Sequence, residues 1–150
     1  MKHTIIVLFL VAVLSIETSH AQDNNKADIQ KGKITVLLTG FENDRGTAKL
    51  CVCRSEDEYA GDKKEFCTAS TEIKSTKAEW VFEHMPYGSY SIKAFHDENG
   101  NSRLDKDFLG MPTERYGFSN NARGRFGPPT FASAAFTLNS PQLKIAIEIK

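Results

Sequence analysis

The sequence predicts an all-β protein: a single antiparallel β-sandwich of about seven strands with one long ordered loop. Three observations carry that prediction. Short segments alternate apolar and polar residues with a period of two. Clusters of Gly, Pro, Asn and Asp separate them. No segment after residue 21 carries convincing amphipathic-helix spacing.

The 150 residues are enough for one domain. Lys2, the apolar run Ile5 to Leu14 and Ser19-His20-Ala21 open the chain. Small residues at the −3 and −1 positions of a cut make residues 1–21 read as a cleavable signal peptide. The apolar run is too short for a membrane span. The expected location is therefore periplasmic or secreted. Gln22 and not Cys stands directly after the cut, so a lipoprotein anchor is not indicated. Residues 22–31 are polar and read as a flexible leader, leaving 32–150 as the domain. Lys plus Arg and Asp plus Glu each number 19, giving no net charge. Arg123-Gly124-Arg125 is too small a basic cluster for a nucleic-acid partner. No later run is long enough to span a bilayer.

Ile34, Val36 and Leu38 alternate in the first strand, and Gly40 to Gly46 is a turn. Thr47 to Arg54 is the second strand. Ser55 to Glu65 reads as charged and irregular, pinned by Tyr59. Phe66 to Lys74 and Glu79 to Glu83 are the third and fourth strands, with Trp80 assigned to the core. Met85-Pro86-Tyr87-Gly88 is a turn in which Pro86 fixes φ and Gly88 is free to take an unusual one. Tyr90, Ile92 and Ala94 share a face of the fifth strand. Phe108 to Thr130 is the long loop, aromatic enough to pack as a lid or a functional segment. Ala134 to Leu138 resumes a strand. Leu143, Ile145, Ile147 and Ile149 give the last and clearest one.

The fifth strand runs into His96-Asp97-Glu98-Asn99-Gly100-Asn101-Ser102-Arg103-Leu104-Asp105-Lys106-Asp107. Asp97, Asn99, Asn101 and Asp105 fall at positions one, three, five and nine of a calcium-loop spacing. Arg103 would add a backbone carbonyl at position seven, and Leu104 would anchor the loop to the core. Position six is Ser102 rather than Gly, and position twelve is Phe108 rather than a bidentate Glu. Asp107, one residue early, or Glu114, folding back, would supply the late carboxylate. Ca²⁺ at an affinity typical of extracellular modules is the cofactor this spacing predicts. The competing interpretation is an Asx-rich turn. Four spaced oxygen side chains exceed what a turn needs, which favours the metal.

Export favours disulfides. Cys51 and Cys53 lie two apart in one strand and face the same way, so they are poorly placed to bond to each other. Either could reach Cys67 across a neighbouring strand. One disulfide that includes Cys67 is expected, with the third thiol free or intermolecular. The alternative is three small buried hydrophobes.

Phe82-Glu83-His84-Met85-Pro86-Tyr87-Gly88-Ser89-Tyr90 is similar to a turn of transthyretin-like and carboxypeptidase-regulatory-like sandwiches. His96 to Asn101, Leu104-Asp105, Phe108-Leu109-Gly110-Met111-Pro112 with Glu114, and Tyr116-Gly117-Phe118-Ser119-Asn120-Asn121 follow it. Gly127-Pro128-Pro129 with Phe131 and Ala134 completes the pattern. Together these resemble the bacterial DUF2141 family from about Lys33 to Ile149. The resemblance implies an exported transthyretin-like or Ig-like sandwich and supplies no reaction. It departs at Ser102, where many members carry Gly, and the three cysteines are not part of it.

The function expected first is non-enzymatic: an exported module whose Ca²⁺-stabilised loop presents a surface to a protein, peptide or glycan. His96, Tyr116, Phe118 and Asn120 are the further loop or ligand residues. An enzyme is the second expectation, a periplasmic hydrolase or oxygenase using His96 as base beside Asp97, with Ser119 or a free Cys as nucleophile. Against it, a His at a strand end more often bonds a loop carbonyl and fixes a turn. The third expectation is a carrier in which Tyr116, Phe118, Phe126 and Phe131 close on a small apolar molecule.

Overall fold

The computed structural model describes residues 30–150, and the signal-peptide expectation lies outside the described residues. Gln30 and Lys31, which fall in the range read as leader, are ordered parts of the domain. The Gln30 carbonyl accepts from the Tyr87 N–H at 2.8 Å, and strand β1 begins at Lys31.

The elements are β1 (Lys31–Thr39), β2 (Thr47–Cys53), α1 (Glu56–Ala60), β3 (Cys67–Glu72), β4 (Lys77–Pro86) and β5 (Gly88–Asp97). Then come β6 (Tyr116–Phe118), a 3₁₀ turn (Ser119–Asn121), α2 (Phe131–Ala134), β7 (Phe136–Leu138) and β8 (Gln142–Glu148). One sheet has the order β4-β1-β8, and the other β3-β2-β5-β6 with β7 also pairing β5. The class is all-β and sandwich-like, with eight strands where about seven were expected. The extra one, β6, lies inside the stretch read as a loop. One pairing departs from an antiparallel sandwich: β8 runs parallel to β1, with Val36 opposite Ile145.

The core forms where the period-two faces meet. Ile34, Val36 and Leu38 of β1, with Ile147 of β8 beside Leu38, face Leu50 and Val52 of β2 and Tyr90 and Ile92 of β5. Alternation puts every second residue of a strand on that face, so the pattern that forms the strands also fills the core. Trp80 shares the inward side of β4 with Ala78 and Phe82, yet it is 37% exposed because β4 is an edge strand. The left-handed residue near the Pro86 turn is His84 (φ 54°), at the register shift between β1 and β4; Gly88 does not use its freedom. Tyr116 exchanges both backbone bonds with Lys150, at 3.1 and 3.0 Å, which ties the second sheet to the end of β8.

The segment read as irregular contains a short helix. Ser55 accepts the Glu58 N–H at its start, and Gly61 closes it in the left-handed region (φ 92°). Tyr59 is buried on α1, as expected. With α2 it covers the outer face of the second sheet, where Cys53, Tyr59, Phe118 and Ala134 form a second small core. The aromatics of the long stretch divide. Tyr116, Phe118 and Phe131 pack, while Phe108 and Phe126 are each 95% exposed.

The disulfide expectation is corrected by register. Cys67 lies opposite Val52, so it points to the face away from Cys51 and Cys53. All three are free thiols. Burial pushes the Cys53 and Cys67 thiols up to about 11, and burial followed by the Glu65 carboxylate raises Cys51. They stay protonated at neutral pH, which removes them as thiolate nucleophiles. A thiol-reactive dye should count three thiols in the unfolded protein without reductant; a count of one would restore the disulfide.

Candidate functional site

The Asx-rich loop leaves the sandwich at the end of β5. Asp97 is fully buried there. Its Oδ2 accepts the Ser102 N–H at 3.0 Å and lies 3.4 Å from Lys49 Nζ. Its Oδ1 is buried with no hydrogen-bond partner among the described residues. A buried polar oxygen left without a partner is costly, and such groups in native proteins call for an explanation. Lys49 was not singled out from the sequence. It extends from β2 beneath the loop and also bonds Ser102 Oγ at 3.1 Å.

Successive Asx side chains curl the loop. Asn99 Oδ1 accepts from the Asn101 N–H at 3.0 Å, and Asn101 Oδ1 from the Arg103 N–H at 2.8 Å. Both amide groups donate to Asp105, Asn99 at 2.6 Å and Asn101 at 2.8 Å. Ser102 holds φ 63°, the left-handed conformation for which the calcium-loop pattern uses Gly. The chain therefore makes the sixth-position bend with an unfavourable residue.

Glu114 folds back across the neck of the loop. Its two carboxylate oxygens accept the Glu98 and Asp105 N–H groups, each at 3.0 Å. Asp107 is not brought in. Its Oδ1 accepts from Leu109 and Met111 in the following turn, at 2.8 and 2.9 Å. No group of three or more His, Cys, Asp or Glu among the described residues gathers as a metal site. A cation here would draw on Asn and carbonyl oxygens beside Asp97 and Asp105.

The other candidates prove to be ties. His96 is buried, with Nε2 at 2.7 Å from the Arg45 carbonyl and its ring edge-on to Phe41 at 5.2 Å. A carbonyl only accepts, so Nε2 carries the proton and the ring fixes the Gly40 to Gly46 turn. Arg45 in that turn pairs with Glu98 of the loop. Ser119 is fully buried and bonded at both ends. Its Oγ accepts the Ile92 N–H at 2.9 Å and donates to the Ala134 carbonyl at 2.5 Å. Asn120, left-handed at φ 59°, donates from Nδ2 to the Ala135 carbonyl at 2.8 Å and so holds the end of α2. Tyr116 and Phe118 lie side by side along β6, ring centroids 5.7 Å apart. His96 and Ser119 are thus fixed in the interior at separate bonds and make no base–nucleophile pair.

The fold and loop define a class: an all-β sandwich domain with a curled, acidic Asx-rich loop at one end. The chain belongs to the family described as "Uncharacterized protein conserved in bacteria (DUF2141)", whose model matches residues 36–146. The match takes in the loop and most of both sheets. Comparison with curated proteins and with solved structures returned no match.

Proposed function

We propose that this protein is an exported, non-enzymatic binding module of transthyretin-like build whose Asx-rich loop is stabilised by Ca²⁺ and presents a surface to a protein, peptide or glycan. The observation that carries the reading is the buried, unpartnered Oδ1 of Asp97 at the first position of the loop. A turn alone gives no reason to bury that oxygen. Asp97, Asn99, Asn101 and Asp105 would contribute side-chain oxygens, and Arg103 a carbonyl. Glu114 would hold the neck through the backbone rather than act as the missing twelfth ligand. Weak affinity follows from the missing bidentate carboxylate and from the competing Lys49 ammonium.

An unfolded chain cannot gather these oxygens, so Ca²⁺ stabilises by mass action. With Ca²⁺ at 10 to 100 times the Kd, the gain is about 1.4–2.7 kcal/mol, or roughly 5–10 °C in Tm for a domain of this size. The test is melting of the mature protein in EDTA and in millimolar Ca²⁺, beside Asp105→Ala and Ser102→Gly. The rise should vanish in Asp105→Ala and begin at lower Ca²⁺ in Ser102→Gly, whose backbone meets φ 63° without strain. Equal melting of the wild type in EDTA and Ca²⁺ would end the metal reading and leave the Asx residues as turn formers.

A further inference from the structure

A cavity lies on the outer face of the second sheet, and Leu104 of the Asx-rich loop contributes to its lining. Three strands set side chains there in register. Cys51 of β2 lies opposite Lys93 of β5, and Lys93 lies opposite Phe118 of β6. Phe95 and Tyr116 form the next pair on the same face. Helix α1 stands over one side through Tyr59, and Pro128 and Pro129 form another wall. Between them is a cavity of ≈ 530 Å³. That size is within the range of small-molecule sites, roughly 300–1,000 Å³.

The lining is aromatic and aliphatic with one cation. Lys93 is half-buried, donates to the Tyr59 carbonyl at 2.9 Å, and pairs with no carboxylate among the described residues. An ammonium has three donors, so two remain for a ligand. Its place among rings makes it a charge-selective group rather than a solvated surface Lys. Glu56, an exposed residue of the lining, disfavours a ligand with several negative charges. The neutral Cys51 thiol adds no competing charge.

We infer that this cavity binds a small aromatic monocarboxylate, its ring against Tyr59, Tyr116 and Phe118 and its carboxylate on Lys93. Aromatic walls fit a flat body by offset or edge contacts. A single buried-side cation fixes which end enters. The carboxylate replaces water on Lys93 in a partly dry site, where a charge-assisted bond is stronger than in bulk solvent.

The test uses 2-naphthoate, with 2-naphthamide as its neutral analogue and 2-naphthylmethylamine as the cation. Titrations followed by amide NMR shifts are run in EDTA, so the result does not depend on Ca²⁺ at the loop. Naphthoate should shift residues of β5 and β6 around Lys93 and Phe118, bind at least tenfold tighter than the amide, and slow maleimide labelling of Cys51. The cation should not bind. Lys93→Met keeps the side-chain stem and should remove the preference for the acid. Ala60→Trp, which places a bulky ring on an exposed position of the cavity wall, should block binding while leaving the fold intact. No shift with millimolar naphthoate, equal binding of acid and amide, or an unchanged Lys93→Met overturns the proposal.

Discussion

Gly46→Ala should be among the most damaging single substitutions in the chain, costing roughly 2–5 kcal/mol. Two effects add. Gly46 sits at φ 68°, where an L side chain meets its own carbonyl, at about 1–2 kcal/mol. A Cβ there would also lie 2.0 Å from the Asp97 carbonyl oxygen and 2.7 Å from the Glu98 Cα. Neither atom belongs to a flexible side chain. Asp97 is fully buried at the end of β5, pairs with Thr47 across the sheet, and is followed by the loop neck that Glu114 clamps. Relief would have to open the contact between the Gly40 to Gly46 turn and the Asx-rich loop. Urea denaturation should show the midpoint falling steeply. Gly100→Ala is the control: Gly100 also has positive φ, 76°, yet nothing lies within 4 Å of an added Cβ. It should lose only the backbone component, about 1 kcal/mol. Equal losses at the two positions would show that the close approach of turn to loop does not exist in solution.

This contact explains what the sequence could reveal and what it could not. Period-two alternation is a local property, so β1, β2, β5 and β8 were legible within a residue or two. So was the burial of Tyr59. A signal for α1 is also local: Ser55-Glu56-Asp57-Glu58 has the spacing of a capping box, and Glu58 N–H bonds Ser55 Oγ at 3.3 Å. What stayed hidden depends on which strands become neighbours. Nothing local places β8 parallel to β1. The register that sets Cys67 opposite Val52, and so away from Cys51 and Cys53, is a property of the β2–β3 pair. Spacing brought Asp97, Asn99, Asn101 and Asp105 into one loop. It could not show that Asp107 turns to its own bend, or that Lys49 from a different strand reaches Asp97. The cavity floor is hidden for the same reason, since Cys51, Lys93 and Phe118 come from three strands.

Ser119→Ala should destabilise the fold by about 2–4 kcal/mol, although it removes only one oxygen atom. That hydroxyl accepts the Ile92 N–H and donates to the Ala134 carbonyl, and the residue has no exposed surface. Removing it leaves a buried donor and a buried acceptor unpaired, at about 1–3 kcal/mol for a typical orphaned group. It also cuts the link between β5 and α2, the helix that helps cover the outer face of the second sheet. Ser70→Ala, exposed on β3, should change stability by no more than about 0.5 kcal/mol and serves as the reference. The same experiment bears on function. A catalytic serine needs its hydroxyl free to attack, and nucleophile substitutions commonly leave stability unchanged or raise it. A large loss in Ser119→Ala identifies a structural bond. No loss would mean that these two bonds are not made in solution, and the hydrolase reading would regain its nucleophile. Ser119, tied to Ile92 and Ala134, and His96, bonded to the Arg45 carbonyl, are each accounted for by the bonds that hold the sandwich together.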